Sequence, residues 1–176
     1  MNREYALLST IDRFRTVPGK KALHKILYFT NLQTDDFIYR WNNYGPYSDE
    51  VQQFFDDSYL DNTISIKEEQ LNNYAIQYNT SLEERGRRTL EALRENPLVN
   101  RQEIDNAIDF AYELLHDKTP RQMELLASTH YIASYYNELD SDEIWRIIDN
   151  LKPGSHFTLQ EIEDSLATLH QFNLAQ

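Results

Sequence analysis

Apolar residues recur at helical spacing as soon as the chain begins. Leu7, Leu8, Ile11 and Phe14 share one side, which predicts a helix over residues 4–15. Val17-Pro18-Gly19 stops it, because proline disfavours the helical region for the residue before it. A second helix is expected over residues 20–32, with Leu23, Ile26, Leu27 and Thr30 as its stripe. The period then drops to two. In FIYRWN, Phe37, Tyr39 and Trp41 alternate with Ile38, Arg40 and Asn42, which is strand spacing.

YGPYS follows, Tyr44 to Ser48, with a Gly-Pro turn between two tyrosines. Gly45 supplies a backbone shape other residues avoid, and Pro46 fixes the next φ. Ser48 is a good N-cap, and Asp49-Glu50 then occupy a first turn where the helix dipole favours negative charge. The helix so aimed carries Val51, Phe54, Phe55 and Tyr59 at amphipathic spacing, with Val51, Phe54 and Phe55 directed to the core. NTISIK and NYAIQYN each alternate, and Ile64 and Ile66 match Tyr74, Ile76 and Tyr78 as a hairpin. Ser81-x-x-Glu84 reads as a capping box for a helix that runs to Asn96, before Pro97.

The remainder reads as helix. Ile104, Ala107, Ile108, Ala111 and Leu115 make one stripe. Residues 120–137 are apolar on two faces (Met123, Leu126, Ala133 and Leu125, Ile132, Tyr136), the mark of a central helix. Ile144, Ile147, Ile148 and Leu151 make a short helix that Pro153-Gly154 ends. Thr158-x-x-Glu161 caps a last one with Ile162, Leu166 and Leu169. The fold class expected is mainly α with a small β component. The order helix, helix, strand, helix, hairpin, helix marks residues 1–97 as a winged-helix-like unit, and residues 98–176 as a helical C-terminal unit packed on it.

Composition narrows the function. There is no cysteine, which removes disulfides and thiolate chemistry. The start MNREYALLST is charged at once, and no apolar run of about 20 residues exists, so no signal peptide or membrane span is expected. A cytoplasmic location is the expectation. The net charge is −12. Before Pro97 there are 12 basic and 15 acidic residues, and after it 5 and 14. Nucleic-acid affinity comes largely from phosphate neutralisation, so this balance opposes it, although the first part can still hold a local basic patch.

Catalytic patterns are missing. With 4 glycines the chain has neither phosphate-binding glycine motif, and no G-x-S-x-G occurs. His24, His116, His130, His156 and His170 show no i, i+4 pair. His130 is expected as a hydrogen-bonded core or edge histidine. Acidic pairs such as Asp56-Asp57 and Glu68-Glu69 lie in loops or opposite apolar stripes and read as solvated charge. No enzyme, metal or cofactor is expected.

Two basic clusters stand out: GKKALHK, with Lys20, Lys21 and Lys25 beside His24, and Arg85, Arg87 and Arg88 after the hairpin. Each is either a contact surface or an ordinary solvated face. The helix after YGPYS stands where a DNA-reading helix would, yet Asp49–Ser58 has no basic residue. The last helix is acidic too.

GKKALHKILYF, then RWNNYGPYSDEV, then the hairpin and the glycine-containing helix that follows it (74–86), together resemble the Panacea domain of SocA-like antitoxins. They are equally similar to the uncharacterised YwgA-like proteins. Those families show a Lys-x-x-Leu-x-Lys-x-x-Tyr pattern, which Lys20, Leu23 and Tyr28 follow, with Lys25 by its second Lys. They also show a Gly-Pro-Tyr/Phe-Ser turn, here Gly45-Pro46-Tyr47-Ser48. LLASTHYIASYY and LKPGSHFTLQEIEDSLATL are similar to the longer YwgA-like tail, an extension beyond a minimal Panacea domain. The resemblance implies a non-enzymatic protein-interaction module, antitoxin-like or adaptor-like, whose partner is a protein, a toxin in the antitoxin case. A homodimer is also open. The contact residues expected are Lys20, Lys21, Lys25, Tyr28, Tyr44 and Tyr47, on a turn built by Gly45, Pro46 and Ser48. The alternative is a winged-helix DNA-binding regulator.

Overall fold

The computed structural model describes residues 1–72, 75–136 and 138–175. The first helix, α1 (Asn2–Phe14), buries Tyr5 to Ile11, and Arg15 leaves it at φ 60°. Val17-Pro18 does more than stop that helix. It forms a short strand, β1 (Val17–Pro18), which local pattern did not announce. Helix α2 (Gly19–Thr34) follows at once, and every residue from Ala22 to Thr30 is buried.

The expected strand over residues 37–42 is shorter, β2 (Arg40–Asn42). Phe37 is instead held by Asn31, whose side chain accepts from the Phe37 amide at 2.6 Å and donates to its carbonyl at 2.8 Å. Part of YGPYS is itself a strand, β3 (Gly45–Tyr47), paired antiparallel with β2. The reversal lies at Asn43-Tyr44. Pro46 is tolerated because a two-stranded ribbon leaves one side of each strand unpaired.

Helix α3 (Asp49–Leu60) begins at Ser48, whose hydroxyl accepts from the Val51 amide at 3.4 Å. Val51 and Phe55 enter the core, while Phe54 is only partly buried and Tyr59 is half exposed. The hairpin is β4 (Ile64–Asn72) and β5 (Ala75–Leu82), with Ile66 opposite Thr80 and Glu68 opposite Tyr78. Ile76 and Tyr78 thus face Gln70 and Glu68, not the expected Ile64 and Ile66, and the expected match to Tyr74 lies outside the described residues. β1 lies beside β5, so the sheet order is β1-β5-β4.

The Ser81 capping box does not form. Ser81 belongs to β5, with its Oγ 3.3 Å from that of Ser65 across the ladder. Helix α4 (Glu84–Glu95) starts from Glu83, whose amide donates to the Thr63 carbonyl, and has no side-chain cap. The order up to the hairpin is α1-β1-α2-β2-β3-α3-β4-β5: β1 closes the three-stranded sheet, and the β2-β3 ribbon stands between α2 and α3.

Helix α5 (Arg101–Leu115) packs on α2 and α1. Helix α6 (Pro120–Tyr135) is central, as its two apolar faces predict. Met123, Leu126 and Ala127 join the core of α1, α2 and α5. Leu125 and Ile132 join a second core with Ile144 and Ile148 of α7 (Ser141–Leu151), Phe157, and Ile162 of α8 (Leu159–Gln171). Tyr136 lies past the end of α6 and is exposed. The Thr158–Glu161 capping box forms as expected. None of the described helices is long and apolar enough to cross a membrane.

Candidate interaction surface

The basic cluster GKKALHK sits on the first two turns of α2, and burial divides it. Lys20 and Lys21 are exposed, whereas His24 and Lys25 are interior. Lys21 and Lys25 are four apart and so share a face, and β3 with its preceding turn lies against that face. Tyr44 spreads its ring under the Lys21 ammonium, 3.6 Å from the ring centre. One turn further, Lys25 Nζ donates to the Pro46 carbonyl at 2.6 Å.

Gly45 is required at this junction. Its φ is +81°, and a Cβ there would meet Ser128 Oγ of α6 at 2.5 Å. It would also lie 3.7 Å from Lys25 Nζ. Ser128 Oγ is buried without a hydrogen-bond partner. Burial pulls Lys25 down to about 7, with the Glu124 carboxylate opposing and Lys152 and Lys21 adding to the fall. His24 falls to about 3, through burial first and then the charge of Lys25. Its Nδ1 accepts from the Ser48 amide at 3.5 Å, so the ring proton sits on Nε2. Tyr47 stacks on that ring at 4.4 Å, and its hydroxyl donates to Gln52.

Tyr28 is also interior. Its hydroxyl is 2.7 Å from His130 Nδ1, and burial pulls His130 down to about 4. His130 is thus the hydrogen-bonded core histidine its position implied. Lys25 (1% exposed) and Tyr28 (5%) therefore do not form a contact surface. They tie α2 to β3 and to α6. Of the six residues expected at that surface, Lys20, Lys21 and Tyr44 remain exposed, and Tyr47 is half-buried.

Two clefts meet at Lys21 and Pro120, which line both. One, about 740 Å³, is basic on balance: Lys21, Arg121 and Lys152 line it against Glu124, with Tyr44 and Phe157 as aromatic walls. Lys152 is paired with Glu124, and Arg121 with Glu161 at 3.1 Å. The other, about 570 Å³, is apolar and lies between α3 and the hairpin. Phe55, Tyr59, Ile66, Ile76 and Tyr78 line it, with Lys20 at the rim. Lys20 pairs with Asp56 at 3.7 Å.

Most of these lining residues escape a local reading. Phe157, Arg121 and Lys152 lie 100 or more residues from Lys20 and Lys21. Ile76 and Tyr78 were visible as strand residues, but nothing local says that their face stays open. The second basic cluster is neutralised in part, with Arg85 on Asp61 and Arg88 on Glu84. The outer face of α3 presents Gln53, Asp56 and Asp57. Among the described residues no three His, Asp or Glu side chains gather as a metal site. No model of a known protein family matches the chain, and a search of curated proteins finds no match.

Proposed function

We propose that this chain is a non-enzymatic protein-interaction module, antitoxin-like or adaptor-like, that acts in the cytoplasm. The observation that carries the reading is the pair of clefts meeting at Lys21: an apolar one rimmed by exposed aromatics beside a basic one, on a chain of net charge −12. Exposed apolar patches rimmed by polar residues mark contact sites, and aromatic and basic residues commonly dominate binding energy there. The resemblance of GKKALHKILYF and YGPYS to SocA-like Panacea domains supports the same reading and makes a toxin the first partner to seek. Crosslinking of the tagged chain in its native lysate tests it. A protein recovered with the native chain and lost with Lys21→Glu is the expected result. Recovery of no protein, or of one indifferent to Lys21 and Tyr44, sinks the reading.

A winged-helix DNA-binding regulator is the second reading, favoured by the order of α1 to β5. Phosphates would face Asp56 and Asp57 on α3, which opposes it. A mobility shift that weakens with salt would favour it over the first.

A further inference from the structure

Lys21 differs from the other cations that line the two clefts, and from Arg40 on β2. Lys20, Arg121, Lys152 and Arg40 each pair with a carboxylate. Among the described residues Lys21 has the Tyr44 ring instead. A cation–π contact at an exposed site is worth only about 0.5–1 kcal/mol and leaves the ammonium able to accept an anion. One side of Lys21 opens on the apolar cleft, where Tyr59 is 50% exposed, Ile76 55% and Tyr78 49%. These three surround a single depression instead of being scattered, which an ordinary surface does not need.

The sheet edge beside this cleft is also open. Among the described residues β1 covers β5 only at Asn79 and Thr80, and no strand lies on that side of Ile76 and Gln77. An unpaired edge is a template for an extended segment.

We propose that the apolar cleft and Lys21 form one recognition groove for an extended segment of a partner protein. The segment seats a large apolar or aromatic side chain against Phe55, Tyr59, Ile66 and Tyr78. It lays a nearby acidic side chain on Lys21, at the mouth of the basic cleft. Charge complementarity selects the acid, since Lys21 and the cleft beyond it form a basic region of an acidic molecule. A polyphosphate backbone is a poor fit, because its further charges would meet Asp56 and Glu124. This inference rests on the interaction reading and adds the chemistry of the partner.

A displayed library of random peptides, selected against the full chain, tests it. Enriched peptides are expected to pair an apolar anchor with an Asp or Glu a few residues away. Tyr78→Ser and Lys21→Glu should each weaken a selected peptide by about tenfold or more, with the far-ultraviolet dichroism unchanged. Changing the peptide's acid to Lys should recover most of that loss on Lys21→Glu and on no other variant. Enriched peptides without an acid, or a library that yields none, overturn the proposal. So does binding indifferent to Lys21. Self-association abolished by Tyr78→Ser overturns it in favour of a second copy. If the lysate partner depends on Lys21 and Tyr44 while selected peptides ignore the groove, this inference falls and the interaction reading stands.

Discussion

The first and second turns of α2 hold residues of the same kind in opposite states. Lys20 and Lys21 stand in solvent, one beside Asp56 and the other over a tyrosine ring. His24 and Lys25 are interior, and their charged forms are disfavoured by burial. In GKKALHK nothing separates these pairs by type. The difference comes from what lies opposite. The first turn faces two open clefts, and the second faces β3 and α6, which close over it. Clustered positive charge in a sequence is thus not yet a surface. Half of it here is structural, and only the outer half is available for contact.

The sharpest way to break the interior half is Gly45→Ala. The new Cβ would sit 2.5 Å from Ser128 Oγ at a φ unfavourable to alanine, for an expected loss of about 2–4 kcal/mol in denaturant melts. Ser128→Ala on that background should return the part due to the clash and leave the backbone part. By itself Ser128→Ala should be neutral or slightly stabilising, because it removes a buried hydroxyl with no partner.

Next in size is pH dependence. His24 titrates near 3 in the fold and 6.5 in its ordinary state, so the unfolded chain binds more protons between these values. Its contribution is present above pH 6.5 and is lost as pH falls toward 3. Lys25 behaves alike between its ordinary 10.5 and about 7, so stability from this group rises with pH across that window. Lys25→Met should flatten the rise by about 1 kcal/mol per pH unit in melts from pH 7 to 10.5. A slope unchanged by Lys25→Met would show that its ammonium is not desolvated as described.

The outer half should barely respond. Lys21→Met and Lys20→Met are each expected to change stability by no more than about 1 kcal/mol. Only binding should register Lys21. A loss at Lys21 as large as that at Gly45 would erase the distinction between the two turns.

How much of this was legible follows from the range of each interaction. The α1, α2 and α5 stripes, the Ser48 cap and the Thr158 box depend on residues within one or two turns, and local spacing displays them. The Ser81 box failed because the same serine also suited a strand, and pairing with Ser65, 16 positions away, outcompeted the cap. β1 was hidden because a two-residue strand has no period. Its existence depends on β5, which reaches Val17 and Pro18 from more than 60 residues along the chain.

By itself, then, the sequence determined the helices, the hairpin that follows α3, the acidic balance and the need for glycine and proline before α3. These are local steric and solvation rules, and each acts within a short stretch. Only the tertiary structure decided which lysine is buried and which tyrosine is free of the core. Packing of α6 against β3 excludes water from Lys25 and Tyr28, whereas the divergence of α3 from the hairpin leaves Tyr59, Ile76 and Tyr78 around an open cleft.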